Sequence, residues 1–317
     1  MKTLIAFILL TTVGCAVDAV PVTALTFTPD GKQLVYNTAF GLVIRDLDDK
    51  AMPKSLLELD WPKITAAAFD PSGRWLAVAG GVPGEKGSVL LFDWQTKRIA
   101  ARWEEAADLI TAVAWTHAGG KLAAACHDQS VRVFVVGKDT PLTQPMTLSD
   151  HTRPVFAVAF SPDDKLLVSA GADRTLKIWD TATDKLERTL AHHTDAVHCL
   201  AFRPQHTGNY CASGGADQTV RVWQPAIGRM VRIVRHHDGA VFALAWHPQG
   251  DHLFSAGQEG LVRIIDADSD RVLHSWQASQ DWIYRLAISA DGNHLVTGAW
   301  NGDVKVWNLA EAPASNR

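Results

Sequence analysis

Ser, His and Asp occur together twice in this chain, in the same order and at nearly the same spacing. His151, Ser169 and Asp173 form one set; His193, Ser213 and Asp217 form the other. Such a trio can do acyl chemistry: the carboxylate orients the imidazole, the imidazole takes the hydroxyl proton, and the oxygen attacks a carbonyl carbon. An indole follows six residues after each Asp, at Trp179 and Trp223. A catalytic constellation is normally assembled once, in one cleft. A set written twice in one register is better explained by packing, because a largely buried turn Asp needs donors and His, Ser and the indole N–H supply them. Leaving one member unsatisfied would cost about 1–3 kcal/mol. The residues therefore read as scaffold, and the protein as no enzyme.

The elements that would hold these residues repeat along the whole chain. The pattern V-x-x-apolar-Ala-aromatic, loosely kept, begins at Val22, Ile64, Ile110, Val155, Val197, Val241 and Ile283, at intervals of 42 to 46 residues. Most copies run into a turn such as "TPDGK", "DPSGR" or "SPDDK", where Pro and Asp-Gly preset a tight reversal. A small-residue strand such as "LLVSAG" follows, then a second turn, then an alternating strand such as "TLKIW", "TVRVW" or "DVKVW". Period-two alternation with β-branched residues argues strand. A fourth, more polar stretch such as "KLERTL" precedes the next copy. Four short strands per repeat, seven times over, predict an all-β, seven-bladed β-propeller of four-stranded antiparallel blades over residues 20–310.

On these residues the chain resembles the WD40-repeat family. The resemblance implies a buried hydrogen-bond tetrad of His, Ser or Thr, turn Asp and third-strand Trp. Blade four would have His151, Ser169, Asp173 and Trp179; blade five would have His193, Ser213, Asp217 and Trp223. Blade six keeps His237 and Ser255 but has Glu259 and Ile265. Blade seven keeps Thr297 and Trp307 but has Asn301 and Ser279, and blade three retains Asp128 with Phe134. Blades one and two match only in the inner strand and turn, and "GGVPGEKG" is expected to lengthen the second-to-third-strand turn of blade two.

The resemblance also implies a function: a protein-interaction scaffold, a propeller acting as a monomer within a complex, docking protein or peptide partners on one face. In this family the residue just after the first Val of each repeat lies near the channel mouth, on the face carrying the Asp turns. Those positions are Thr23, Thr65, Thr111, Phe156, His198, Phe242 and Tyr284, and blade seven adds Trp282 and Trp300. Trp282, Tyr284 and Trp300, flanked by Phe156, His198 and Phe242, are the candidate partner-docking arc, because rigid rings bury large area at low entropic cost. A channel-site enzyme or redox accessory of the cell envelope is the alternative. Aromatics with few ionisable groups at the channel mouth would favour docking, and clustered carboxylates or His would favour chemistry.

Composition excludes some partners. With 47% apolar and 20% charged residues, the chain has the make-up of a globular domain with a large core. Its net charge of −4, with Lys and Arg dispersed, gives no basic face for nucleic acid. No cofactor motif appears. His192-His193 and His236-His237 resemble metal ligands, yet the tetrads claim His193 and His237, and equivalent loops of neighbouring blades lie too far apart to share an ion, so no metal is expected. Cys199 and Cys211 lie on adjacent strands, as two buried thiols or a disulfide.

The N-terminus "MKTLIAFILLTTVGCAVDAV" reads as a secretory signal over residues 1–19, followed at the far end by a polar tail over 311–317. Cleavage before Cys15 with lipidation there, or after Ala16 or Ala19, would both fit, and that lipid is the one membrane link expected. The expected place is the periplasm or cell envelope; the alternative is a cytoplasmic protein with an uncleaved N-terminal strand. The two readings collide at blade seven, whose outer strand, by register, should come from residues 10–15. Removing it would expose an edge that proteins usually avoid.

Overall fold

The structure, a computed structural model, describes residues 9–12 (as backbone), 20–47, 52–137, 142–204 and 208–309. Seven four-stranded antiparallel sheets follow one another around a ring. In blade four the innermost strand is Val155–Phe160, then come Leu166–Gly171, Leu176–Asp180 and the outer Lys185–Leu190. The other blades repeat that order, as the sequence pattern predicts. The core lies between blades rather than within one. Ala123, Val131 and Val133 of blade three, for example, pack on Val158, Phe160, Leu167 and Trp179 of blade four, which is why second strands are apolar on both faces.

Blade seven contributes three strands of its own, Ile283–Ile288, His294–Ala299 and Val304–Asn308. Its fourth comes from the other end of the chain: Leu9–Thr12 pairs antiparallel with Val304–Asn308, overlapping the 10–15 span expected from register but starting one residue before it. Cys15, the proposed cleavage points and the tail at 311–317 lie outside the described residues.

Two local expectations are corrected. The "GGVPGEKG" stretch is a tight hairpin and not a long turn: strands Trp75–Val82 and Lys86–Asp93 stay paired out to Val82↔Lys86. Val82-Pro83-Gly84-Glu85 closes it, with Glu85 N–H on the Val82 carbonyl at 3.1 Å and Gly84 at φ 74°. Pro second and Gly third is the composition a type II turn requires. The inner strand of blade one also starts late, at Leu25–Phe27. The N–H groups of Thr23 and Ala24 donate to the Asn37 side-chain oxygen at 2.8 and 2.9 Å, so an amide replaces the ladder there.

Candidate functional site

The twice-written Ser-His-Asp set folds into two matching buried networks. In blade four, His151 Nδ1 lies 2.7 Å from Asp173 and Nε2 lies 2.8 Å from Ser169 Oγ, which accepts the Trp179 indole N–H at 2.9 Å. In blade five the corresponding distances are 2.8, 2.7 and 2.8 Å among His193, Asp217, Ser213 and Trp223. A neutral imidazole donating Nδ1–H to the carboxylate and accepting the Ser proton at Nε2 satisfies every partner. This is the connectivity of a hydrolytic triad, but each Ser is fully buried and its oxygen already receives an indole proton. No substrate carbonyl can reach it.

Burial alone would raise the Asp173 and Asp217 carboxyls. Hydrogen bonds from His151 and His193, together with those from Thr175 and Thr219, outweigh it and hold both well below the usual range. Blade six keeps the network with Glu259 in the turn, bonded to His237 at 2.8 Å, while His237 Nε2 lies 2.9 Å from Ser255. In blade seven Trp307 donates to Thr297 at 3.2 Å. A feature missed from sequence is the Arg four residues after the turn acid. Arg132, Arg221 and Arg263 each close on Asp128, Asp217 and Glu259 respectively, and the repeated spacing was there to be read.

The Gly before the turn of blade four has an equally local reason. A Cβ on Gly171 would stand 2.2 Å from the Pro154 carbonyl, because the loop entering the blade crosses the end of the second strand there.

The residue after the first Val is aimed by a β-bulge. In blades two to seven the register between inner and second strands slips at that position, as between Val155 and Ala157 or between Ile283 and Arg285. The extra residue is unpaired and its side chain leaves the alternation. In blades four to seven this aims rings, and the rings meet. Phe156 stacks on His198 (centroids 5.3 Å apart), His198 meets Phe242 edge-on at 5.1 Å, and Phe242 stacks on Tyr284 at 4.9 Å with 6° between planes. Trp282 and Trp300 complete the run, 5.8 Å from Phe242 and 5.5 Å from Tyr284 respectively. All six candidate arc residues are thus in one chain of contacts. The two indoles are its outermost members, 39% and 48% exposed, while the other four are half-buried. His127 of blade three, which the sequence reading missed, extends the run, 5.6 Å from Phe156.

In blades one to three the same position holds hydroxyls with different work. Thr23 Oγ1 donates to the Ile64 carbonyl at 2.5 Å, Thr65 Oγ1 to Ile110 at 2.6 Å and Thr111 Oγ1 to Val155 at 2.7 Å. Each bond crosses to the next blade. Arg285 was also missed, although it is the one charged residue at the third position of the seven repeats. Its Nε donates to Thr23 O at 2.7 Å, Nη2 to Thr65 O at 2.9 Å and Nη1 to Tyr284 O at 3.1 Å. One guanidinium thus ties blade seven to blades one and two across the ring closure.

Cys199 and Cys211 are both free and buried. They oppose Gly214 and Phe202 rather than each other, and burial pushes the Cys199 thiol up to about 12 and raises that of Cys211. His192 packs its ring 5.5 Å from Trp223. Among the described residues no three His, Cys, Asp or Glu side chains are grouped to hold a metal ion.

Comparison with known proteins agrees with this geometry. The family described as IFT122 first beta-propeller matches residues 154–316, half of the chain, and that described as WD domain, G-beta repeat matches residues 101–134. The chain belongs to the WD40-repeat propeller family. The WD40 chain is 22% identical over 255 residues to the COMPASS component SWD3 of Saccharomyces cerevisiae, covering 78% of this chain and 64% of that one. It is 34% identical over 182 residues to the nuclear distribution protein nudF of Aspergillus niger, covering 56% and 41%. It therefore spans less than two-thirds of the length of either relative. A chain of the crystal structure of the mitotic checkpoint complex superposes with a TM-score of 0.85 at 19% identity, covering 97% of this chain and 94% of that one, which speaks to the fold alone.

Proposed function

We propose that this WD40 propeller is a non-catalytic platform that docks protein or peptide partners on the channel mouth, through Trp282, Tyr284 and Trp300 flanked by Phe156, His198 and Phe242. The observation that carries it is the unbroken run of ring contacts ending in two indoles that face solvent. Rings assembled only to plug a channel would not need their largest members outermost. A continuous run of aromatic rings lines this face, which favours docking over chemistry. One relative is by name a component of COMPASS, and the structural neighbour comes from a mitotic checkpoint complex. Work within an assembly is the corresponding proposal here.

The test is capture of binding partners from native extract by the full chain and by a Trp300→Ala/Tyr284→Ala variant. The variant is expected to keep its thermal midpoint and lose what the native chain captures. Undiminished capture would overturn the reading. As to location, the pairing of Leu9–Thr12 with Val304–Asn308 favours retention of the N-terminal segment as closing strand over its removal on export. The intact mass of the protein from its native host decides: a mass including residue 1 supports retention, and loss of residues 1–14 or 1–19 supports export.

A further inference from the structure

The polarity around the arc narrows what it can hold. Resting on the docking reading above, we propose that the occupant is an extended segment bearing Lys or Arg side chains, its cationic groups lying over blades five to seven.

The charges on that side of the mouth are mostly unopposed. Asp281 and Asp195 stand in equivalent entry loops, two residues before Ile283 and Val197. Each spends Oδ1 on a loop amide, that of Trp282 at 2.8 Å and that of Ala196 at 2.7 Å. Asp281 is near enough to help raise the Tyr284 phenol, after burial, and Asp195 acts on His198. Asp238 and Asp303 occupy the neighbouring entry loop and turn. Among the described residues none of these four carboxylates forms an ion pair.

The basic groups packed nearby are committed. Arg221 and Arg263 are closed on Asp217 and Glu259, and Arg285 lies beneath Tyr284 with all three nitrogens on carbonyls. Arg153 and Arg174 belong to blade four, so an occupant places its cations toward blade seven. Indole faces are the best aromatic acceptors for a cation, and here they adjoin the carboxylates. Burial lowers the pKa of His198, in the middle of the run, against the opposing effect of Asp195.

The experiment titrates the full chain with short peptides of one length that alternate Gly with Lys, Arg, norleucine or Glu, following tryptophan emission and binding heat. The Lys and Arg peptides are expected to bind and the Glu peptide not to. Asp195→Asn/Asp281→Asn, which keeps acceptors for both loop amides, should weaken the Lys peptide about tenfold at low salt with an unchanged thermal midpoint, since two exposed charge pairs are lost. Equal binding of the norleucine or Glu peptide, or no effect of the Asn variant, overturns the proposal. If Trp300→Ala/Tyr284→Ala loses native partners while the Lys peptide neither binds nor competes, the docking face stands and the cationic occupant falls. If that variant retains native capture, the docking reading fails and this proposal with it.

Discussion

Blades one to three and blades four to seven put the same backbone position to opposite uses. In the first group a Thr hydroxyl reaches across to the next blade's backbone. In the second, a ring reaches another ring and leaves its outer surface to solvent. The two groups also differ in internal support: His-acid networks stiffen blades four, five and six, whereas in blade three Asp128 is held by Arg132 and Ser130. A bulge residue can be spent on joining blades or on making a surface. Where it makes a surface, cohesion comes from inside the blade in blades four to six and from Arg285 across the ring closure in blade seven.

The sharpest way to break this division is at the residue that touches both groups. Arg285→Leu removes three carbonyl partners across blades seven, one and two. It should cost about 2–4 kcal/mol, read as a fall in thermal midpoint. Asp173→Ala comes next, since it leaves the His151 Nδ1–H and the Thr152 and Thr175 donors without their acceptor. A loss of about 2–3 kcal/mol is expected. Unchanged stability with loss of a hydrolytic activity would restore the catalytic reading of the trio.

Smaller effects sharpen the contrast. Thr65→Val keeps the shape but deletes the bond to Ile110, at about 1 kcal/mol by denaturant melt. Acid should act on blade six. Burial places the His237 pKa below its ordinary 6.5, so the unfolded chain takes up the proton more readily. Stability is then complete above pH 6.5 and is lost as pH falls from there toward the folded value. His237→Gln should flatten the decline in thermal midpoint over that window, while Thr65→Val should leave its slope unchanged.

The ring of blades was legible because most copies repeat their turn chemistry and strand alternation, and the tetrads of blades four and five because four side chains recur there at nearly the same offsets. The arc was legible only as a column of aromatic types. Its cause, the register slip that turns the residue after Val155 or Ile283 out of the sheet, depends on strand pairing and leaves no mark in residue type. Arg285 and the Thr bonds were hidden for a related reason: their partners are main-chain carbonyls, which every residue carries. The "GGVPGEKG" stretch is the hairpin its Gly and Pro content suggests, but its turn is not lengthened: Pro83, Gly84 and Glu85 alone connect a ladder that continues to Val82↔Lys86.

The central claim is that one position serves cohesion in three blades and recognition in four. Its most direct test measures thermal midpoint and partner capture together on two variants, Thr23→Val/Thr65→Val/Thr111→Val and Tyr284→Ala/Trp300→Ala. The account predicts that the first loses several degrees and keeps its partners, while the second keeps its midpoint and loses them. If both variants lose stability and binding in parallel, the two halves are not doing different work, and the account is wrong.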